Sequence, residues 1–208
     1  EYIPEERRKE YKLGECAETP DELRRKLDKA IVFAINAHAG TVRKGKTRPY
    51  ILHPLEAMII TSSVTEDVDV LAAAVLHDTV EDTDVTRDDI LREFGEKVAD
   101  LVAAESENKR EDLPAEATWK IRKQETLDHL EEASWDAKAI CLGDKLSNMR
   151  EIYRDYLFIR DEIWDRFNQK DKSMHAWYYG NVLKILENTF GSIPAIKEYH
   201  SIYAEVFG

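Results

Sequence analysis

The sequence predicts an all-α protein, a bundle of about eight to ten helices. Three observations carry this reading. Apolar residues recur at spacings of three and four through most of the chain. Breakers are scarce, 8 Gly and 6 Pro in 208 residues, and they sit where the periodic segments end. No stretch alternates apolar and polar residues between turn signals, as a half-buried strand would. The length is enough to bury a core and is read as a single domain over residues 1–208.

Residues 1–18 are charged and mixed, and form a peripheral segment in which Tyr2, Ile3, Tyr11 and Leu13 are candidate docking points. The first residue is Glu, so an original N-terminus is expected to have been lost or processed. Thr19-Pro20-Asp21-Glu22 is a helix start, a capping residue followed by Pro and two acids. Leu23, Leu27, Ile31, Ala34 and His38 continue it to about residue 38, where Gly40 ends it. Residues 41–50 hold four cations and no acid, and Gly45 and Pro49 make them a loop. Pro54 opens a helix over residues 55 to about 63. A central Ala-rich helix follows over residues 71–83. Helices over residues 87–94 and 96 to about 106 come next, then a polar loop, residues 107–117, with Asn108, Lys109, Arg110 and Pro114. Residues 118–133 and 135 to about 158 are long helices. Residues 161–172 are charged and broken by a turn, and residues 173–190 and 193–207 close the chain as two amphipathic helices around Gly191.

A formal net charge of −12 argues against general nucleic-acid binding, which needs broad positive surfaces. It makes a local basic cluster more telling. No apolar run is long enough to span a membrane, and no signal peptide is evident. Two cysteines, Cys16 and Cys141, build no disulfide framework and no metal spacing, so the cytoplasm is the expected compartment. Nothing in the pattern sets an oligomeric state.

The central helix carries the chemistry. Residues 71–83 read Leu-Ala-Ala-Ala-Val-Leu-His-Asp-Thr-Val-Glu-Asp-Thr. At about 100° per residue, a continuous helix puts His77, Asp78, Glu81 and Asp82 within an arc of roughly 140°. Ala72, Val75, Leu76 and Val80 occupy the rest of the wheel. Three carboxylates on one face repel unless a cation sits among them, and a divalent metal meets that need.

This string resembles the metal-binding helix of the HD phosphohydrolases, and His-Asp-Thr-Val-Glu-Asp-Thr is similar to the hydrolase domain of RelA/SpoT-type enzymes and the small alarmone hydrolases. Tyr50-Ile51-Leu52-His53-Pro54 resembles that family's Pro-Tyr-Ile-x-His-Pro, and Gly143-Asp144-Lys145-Leu146-Ser147-Asn148-Met149-Arg150 its Ala-Asp-Lys/Arg-Leu-x-Asn-Met/Leu-Arg. The resemblance implies an HD-domain bundle with His53, His77, Asp78 and Asp144 as metal ligands and Glu81 and Asp82 as the catalytic pair. Two imidazoles and two carboxylates suit Mn²⁺, Fe²⁺, Co²⁺ or Zn²⁺ better than Ca²⁺. The resemblance points to Mn²⁺. It also implies nucleotide contacts from Arg43, Lys44 and Asn148, more than from Lys46 or Arg48. Tyr178 and Tyr179 are candidates for a base pocket, and His38 is read as a pocket wall or core residue.

Two departures stand out. Glu105-Ser106-Glu107-Asn108-Lys109 replaces the family's Val-Thr-x-x-Lys, and residues 118–123 add a basic helix start that is expected to face the same cleft. The implied activity is metal-dependent hydrolysis of the 3′-pyrophosphate of ppGpp or pppGpp, the alarmones of the stringent response. With no synthetase domain before Gly208, degradation alone is expected. Two readings stand beside it: hydrolysis of another phosphorylated nucleotide such as (p)ppApp or NADPH, and a metal-containing sensor without turnover, which would have no need of Glu81 and Asp82.

Overall fold

The computed structural model describes residues 20–105 and 114–208; the expectations placed on residues 1–18 and 106–113 lie outside them. The described residues form ten α-helices and one 3₁₀ helix, with no strand beyond a single bridge between Val42 and Pro49. In chain order these are α1 (Pro20–Ala37), α2 (Leu52–Thr61), α3 (Val68–Leu76), α4 (Thr79–Asp82), α5 (Arg87–Phe94), α6 (Glu96–Glu105), α7 (Ala115–Glu132) and α8 (Trp135–Ile159). The 3₁₀ segment Arg160–Arg166 follows, then α9 (Lys172–Phe190) and α10 (Pro194–Phe207). No described helix is long and apolar enough to cross a membrane.

Local chemistry sets most of the boundaries. Asp67 caps α3 through the Asp69 amide, 2.9 Å, and Ser134 caps α8 through Ala137, 3.2 Å. Thr86 and Asp89 form a reciprocal capping box on α5. Asp171 caps α9 and Pro194 opens α10. α8 ends at Arg160, which has a positive φ of 50° and hands the chain to the 3₁₀ turn.

The centre of the molecule is α3. Every residue from Val70 to Leu76 is buried, because the helix packs against α1, α2, α6 and α8 at once. A run of Val, Leu and Ala without a polar face can be surrounded in this way, and the three alanines let the neighbours come close. α2 and α8 pack most intimately. A Cβ on Gly143 would collide with the Ala57 carbonyl and the Thr61 hydroxyl, so glycine permits that approach.

One expectation needs correction. Residues 71–83 are not a continuous helix: α3 stops at Leu76, His77 and Asp78 form a turn, and α4 restarts at Thr79. Two side chains take over the carbonyls that the helix would have used. His77 Nδ1 bonds Ala74 O at 2.8 Å, and Thr79 Oγ1 donates to Leu76 O at 2.7 Å. Asp78 leaves the helix at φ −91°, ψ −6°. The wheel therefore does not describe how His77 and Asp78 are aimed. α2 also begins earlier than residue 55, so His53 lies within its first turn.

Candidate metal centre and its cleft

Three segments meet below a cleft of about 760 Å³. α2 brings His53, the turn after α3 brings His77 and Asp78, and the middle of α8 brings Asp144. His53 Nε2 lies 3.1 Å from Asp144 Oδ1 and 3.5 Å from Asp78 Oδ2. His77 Nε2 lies 3.1 Å from Asp78 Oδ2 and 3.7 Å from Asp144 Oδ1. His53, His77 and Asp144 each offer one ligand atom, all within 4.8 Å of one another.

These residues fit a divalent ion. A shell of about 2.1 Å radius spaces neighbouring ligand atoms roughly 3.0–3.4 Å apart, close to the separations found. The ring nitrogens are also presented correctly. A carbonyl only accepts, so His77 Nδ1 keeps the proton shared with Ala74 O, and Nε2 is the nitrogen whose proton an ion would displace. That Nε2 is buried and has no hydrogen-bond partner among the described residues, with Asp78 Oδ2 3.1 Å away. A buried polar atom left in this way is costly unless something binds it. Burial disfavours charge throughout the cluster, yet the mutual attraction wins. Asp78 and Asp144 outweigh burial to hold His77 well above the usual His value. Asp144 is held well below the carboxylate range, against burial, by Lys145 and the two imidazoles.

Around this cluster the structure sorts the other expected residues. Asp82 meets Tyr50, whose hydroxyl is 2.7 Å from Asp78 Oδ2 and 2.8 Å from Asp82 Oδ2. Burial and the two carboxylates push the Tyr50 phenol far up, so its O–H stays a donor. Glu81 lines the same cleft. Arg43 donates from Nη2 to Asn148 Oδ1 at 2.6 Å, and Asn148 donates to Asp144 Oδ1 at 2.5 Å. A line of polar contacts thus joins the basic loop to the cluster. Arg43 also lies over the Tyr50 ring, 5.2 Å from its centroid.

Three expected substrate contacts lie elsewhere. Lys44 is not in the cleft lining; its ammonium donates to Asn168 at 2.8 Å on an exposed face. Tyr178 and Tyr179 are absent from that lining too. Tyr178 is 3% exposed and packs edge-on to Trp119 in the core, while Tyr179 is half-buried against Tyr178 and Phe207. Lys46 is tied to Glu151 and Asp155, each at 2.7 Å, which seats the loop on α8. His38 is buried and stacks on Tyr50 at 4.8 Å.

Sequence reasoning passed over several groups. Tyr50 touches Asp78 and Ser147 touches His53, Glu56 holds Ser147 in turn, and Lys145 pairs with Asp144. For Tyr50, Lys145 and Ser147 a signal existed, since all three lie inside the quoted motifs. Glu105, on the far wall, has its carboxyl pushed up to about 7 by burial, with Lys145 pulling the other way. Arg122 and Lys123 of α7 line that wall, as the basic helix start suggested.

A helical bundle with paired imidazoles and carboxylates beneath a cleft defines a class, and comparison names it. The HD domain family matches residues 30–160, and the chain belongs to that family. Among curated relatives, the guanosine-3′,5′-bis(diphosphate) 3′-pyrophosphohydrolase MESH1 of Danio rerio is 37% identical over 131 residues, 62% of this chain and 69% of its own. The Mus musculus MESH1 is 39% identical over 131 residues, covering 62% of this chain and 70% of its own. The GTP pyrophosphokinase rsh of Brucella ovis is 35% identical over 148 residues, 69% of this chain but only 19% of that much longer protein. Among solved structures, a metazoan orthologue of SpoT, described as hydrolysing ppGpp, superimposes with a TM-score of 0.68 at 25% identity, covering 86% of this chain and 94% of its own. A Listeria monocytogenes protein superimposes with a TM-score of 0.64 at 30% identity over 78% of this chain and all of its own.

Proposed function

We propose that this chain is a metal-dependent phosphohydrolase that removes the 3′-pyrophosphate of ppGpp or pppGpp, yielding GDP or GTP and pyrophosphate. The observation that carries the reading is the meeting of His53, His77, Asp78 and Asp144 in a cleft that also presents Arg43, Arg122 and Lys123. The likeness to MESH1 supports the choice of substrate.

In this reading His53 Nε2, His77 Nε2, Asp78 and Asp144 hold a divalent ion, which we assign as Mn²⁺. When bound, the ion neutralises phosphoryl oxygens and makes water more acidic. Glu81 and Asp82, one turn beyond the ligands, take the proton of the attacking water, a contribution of about 10²–10⁴ in rate. Tyr50 holds Asp82 toward that water through its hydroxyl. The new bond joins the water oxygen to the phosphorus on O3′, the P–O3′ bond breaks, and O3′ leaves as a hydroxyl with the proton that the Glu81–Asp82 pair took from the water. Arg43 and Asn148 hold the nucleotide, and the far basic wall faces its other phosphates. The expected compartment is the cytoplasm.

The deciding experiment incubates the purified, Mn²⁺-loaded protein with ppGpp, ppApp, NADPH and simple mononucleotides. Release of pyrophosphate and GDP from ppGpp, at a kcat/KM well above the others, supports the proposal. Preference for ppApp or NADPH would move it to a different nucleotide, and no turnover of any would favour a sensor.

A further inference from the structure

His53 Nδ1 lies 2.9 Å from Ser147 Oγ in the buried interface of α2 and α8. Which of the two donates is decided one contact further on. Ser147 Oγ lies 2.8 Å from Glu56 Oε2, and a carboxylate oxygen only accepts, so the single hydroxyl proton goes to Glu56. Only lone pairs then remain on Ser147 for His53. The His53 proton must sit on Nδ1, and Nε2, the atom facing Asp144 and Asp78, is left as a lone pair.

Glu56 is itself held. Arg150 Nη1 donates to its other oxygen at 3.3 Å, while Arg150 Nε and Nη2 grip Glu198 of α10, both at 2.7 Å. A carboxylate so anchored cannot easily turn away from Ser147. Its place on α2, one turn after His53, puts it on the same helix face.

We propose that Glu56, acting through Ser147, is a positioning residue that fixes the tautomer of His53 and so presents Nε2 to the ion. The inference rests on the metal-centre reading above. Without an acceptor at position 56, the Ser147 hydroxyl is free to donate to Nδ1, which moves the ring proton to Nε2, where it must be displaced before the ring can ligate. Loss of such an outer contact typically weakens metal binding about 10–100-fold.

The test compares wild type with Glu56→Met, Glu56→Gln and Ser147→Ala. Mn²⁺ affinity is measured by chelator competition, and the His53 tautomer by long-range ¹⁵N–¹H correlation in metal-free protein at a pH where the ring is neutral. Wild type should carry the His53 proton on Nδ1. Glu56→Met should populate the Nε2–H form and bind Mn²⁺ at least about tenfold more weakly. Glu56→Gln, whose amide oxygen still accepts from Ser147, should stay within a few-fold of wild type. Ser147→Ala should resemble Glu56→Met in affinity, which covers the case that Glu56→Met fails to fold. An Nε2–H tautomer in wild type, or unchanged Mn²⁺ affinity in both Glu56→Met and Ser147→Ala, would overturn the proposal. Failure of the metal centre itself is separate: wild type would then bind no Mn²⁺, while the tautomer measurement still decides the role of Glu56.

Discussion

The Tyr50 hydroxyl stands 2.8 Å from Oδ2 of Asp82, and the same oxygen is 2.7 Å from Asp78. One phenolic proton serves two carboxylates, one assigned to the metal and one to catalysis. Tyr50→Phe keeps the ring beneath Arg43 but removes the O–H. A hydrogen bond to a charged group is worth about 1.5–3 kcal/mol, so kcat should fall about tenfold or more, with Mn²⁺ content and KM near wild type. An unchanged kcat in steady-state assays would reduce Tyr50 to a packing residue.

Asp144 accepts from Asn148 and Lys145 and faces both imidazoles. Asp144→Ala should abolish metal uptake and leave Lys145 without its carboxylate. Wild type should gain thermal stability with added Mn²⁺, about 2.7 kcal/mol at a hundred times the dissociation constant, and the variant should gain none. Differential scanning fluorimetry with and without Mn²⁺ reads both.

Adjacent cations in the basic loop should differ sharply. Arg43 reaches Asn148 and the cleft, whereas Lys44 bonds Asn168. Arg43→Gln should raise the KM for ppGpp about tenfold, with Lys46 still seating the loop on Glu151. Lys44→Gln should change KM by less than about threefold, as expected of an exposed contact. Equal effects would mean that the loop swings inward on binding.

Glu105 supplies a pH signature. Its carboxyl is raised from an ordinary 4.5 to about 7 by burial, so the folded protein binds that proton more tightly than the unfolded chain. Its favourable contribution is full below 4.5 and is lost as pH rises through about 7. Glu105→Gln stays neutral, so its melting temperature relative to wild type should climb across that window and level off above it. A difference that does not vary with pH would place Glu105 in contact with water.

Gly143 tests the seam between α2 and α8. Alanine is the better helix former by about 1 kcal/mol, yet its Cβ would press on the Ala57 carbonyl. Gly143→Ala should therefore cost about 1–3 kcal/mol of stability in denaturant unfolding and weaken Mn²⁺ binding, since Asp144 is the next residue.

By itself the sequence determined the all-α class and most helix limits, because these depend on neighbours in the chain. Ser134 caps α8 through an amide three residues on, and Gly95 and Gly191 end helices by their own backbone freedom. The motif residues were legible for a related reason: His77-Asp78, His53-Pro54 and Asp144-Lys145 each stand in a short contiguous pattern. Tertiary structure alone decided how they face one another. The turn at His77 exists because side chains claimed the Ala74 and Leu76 carbonyls, and the helical wheel had no access to that competition. Lys44 points to Asn168 and Tyr178 enters the core because partners more than a hundred residues away, or on another helix, outbid the cleft. Glu56 and Ser147 come together across two helices, and helical periodicity records which residues face inward but not which partners they will meet.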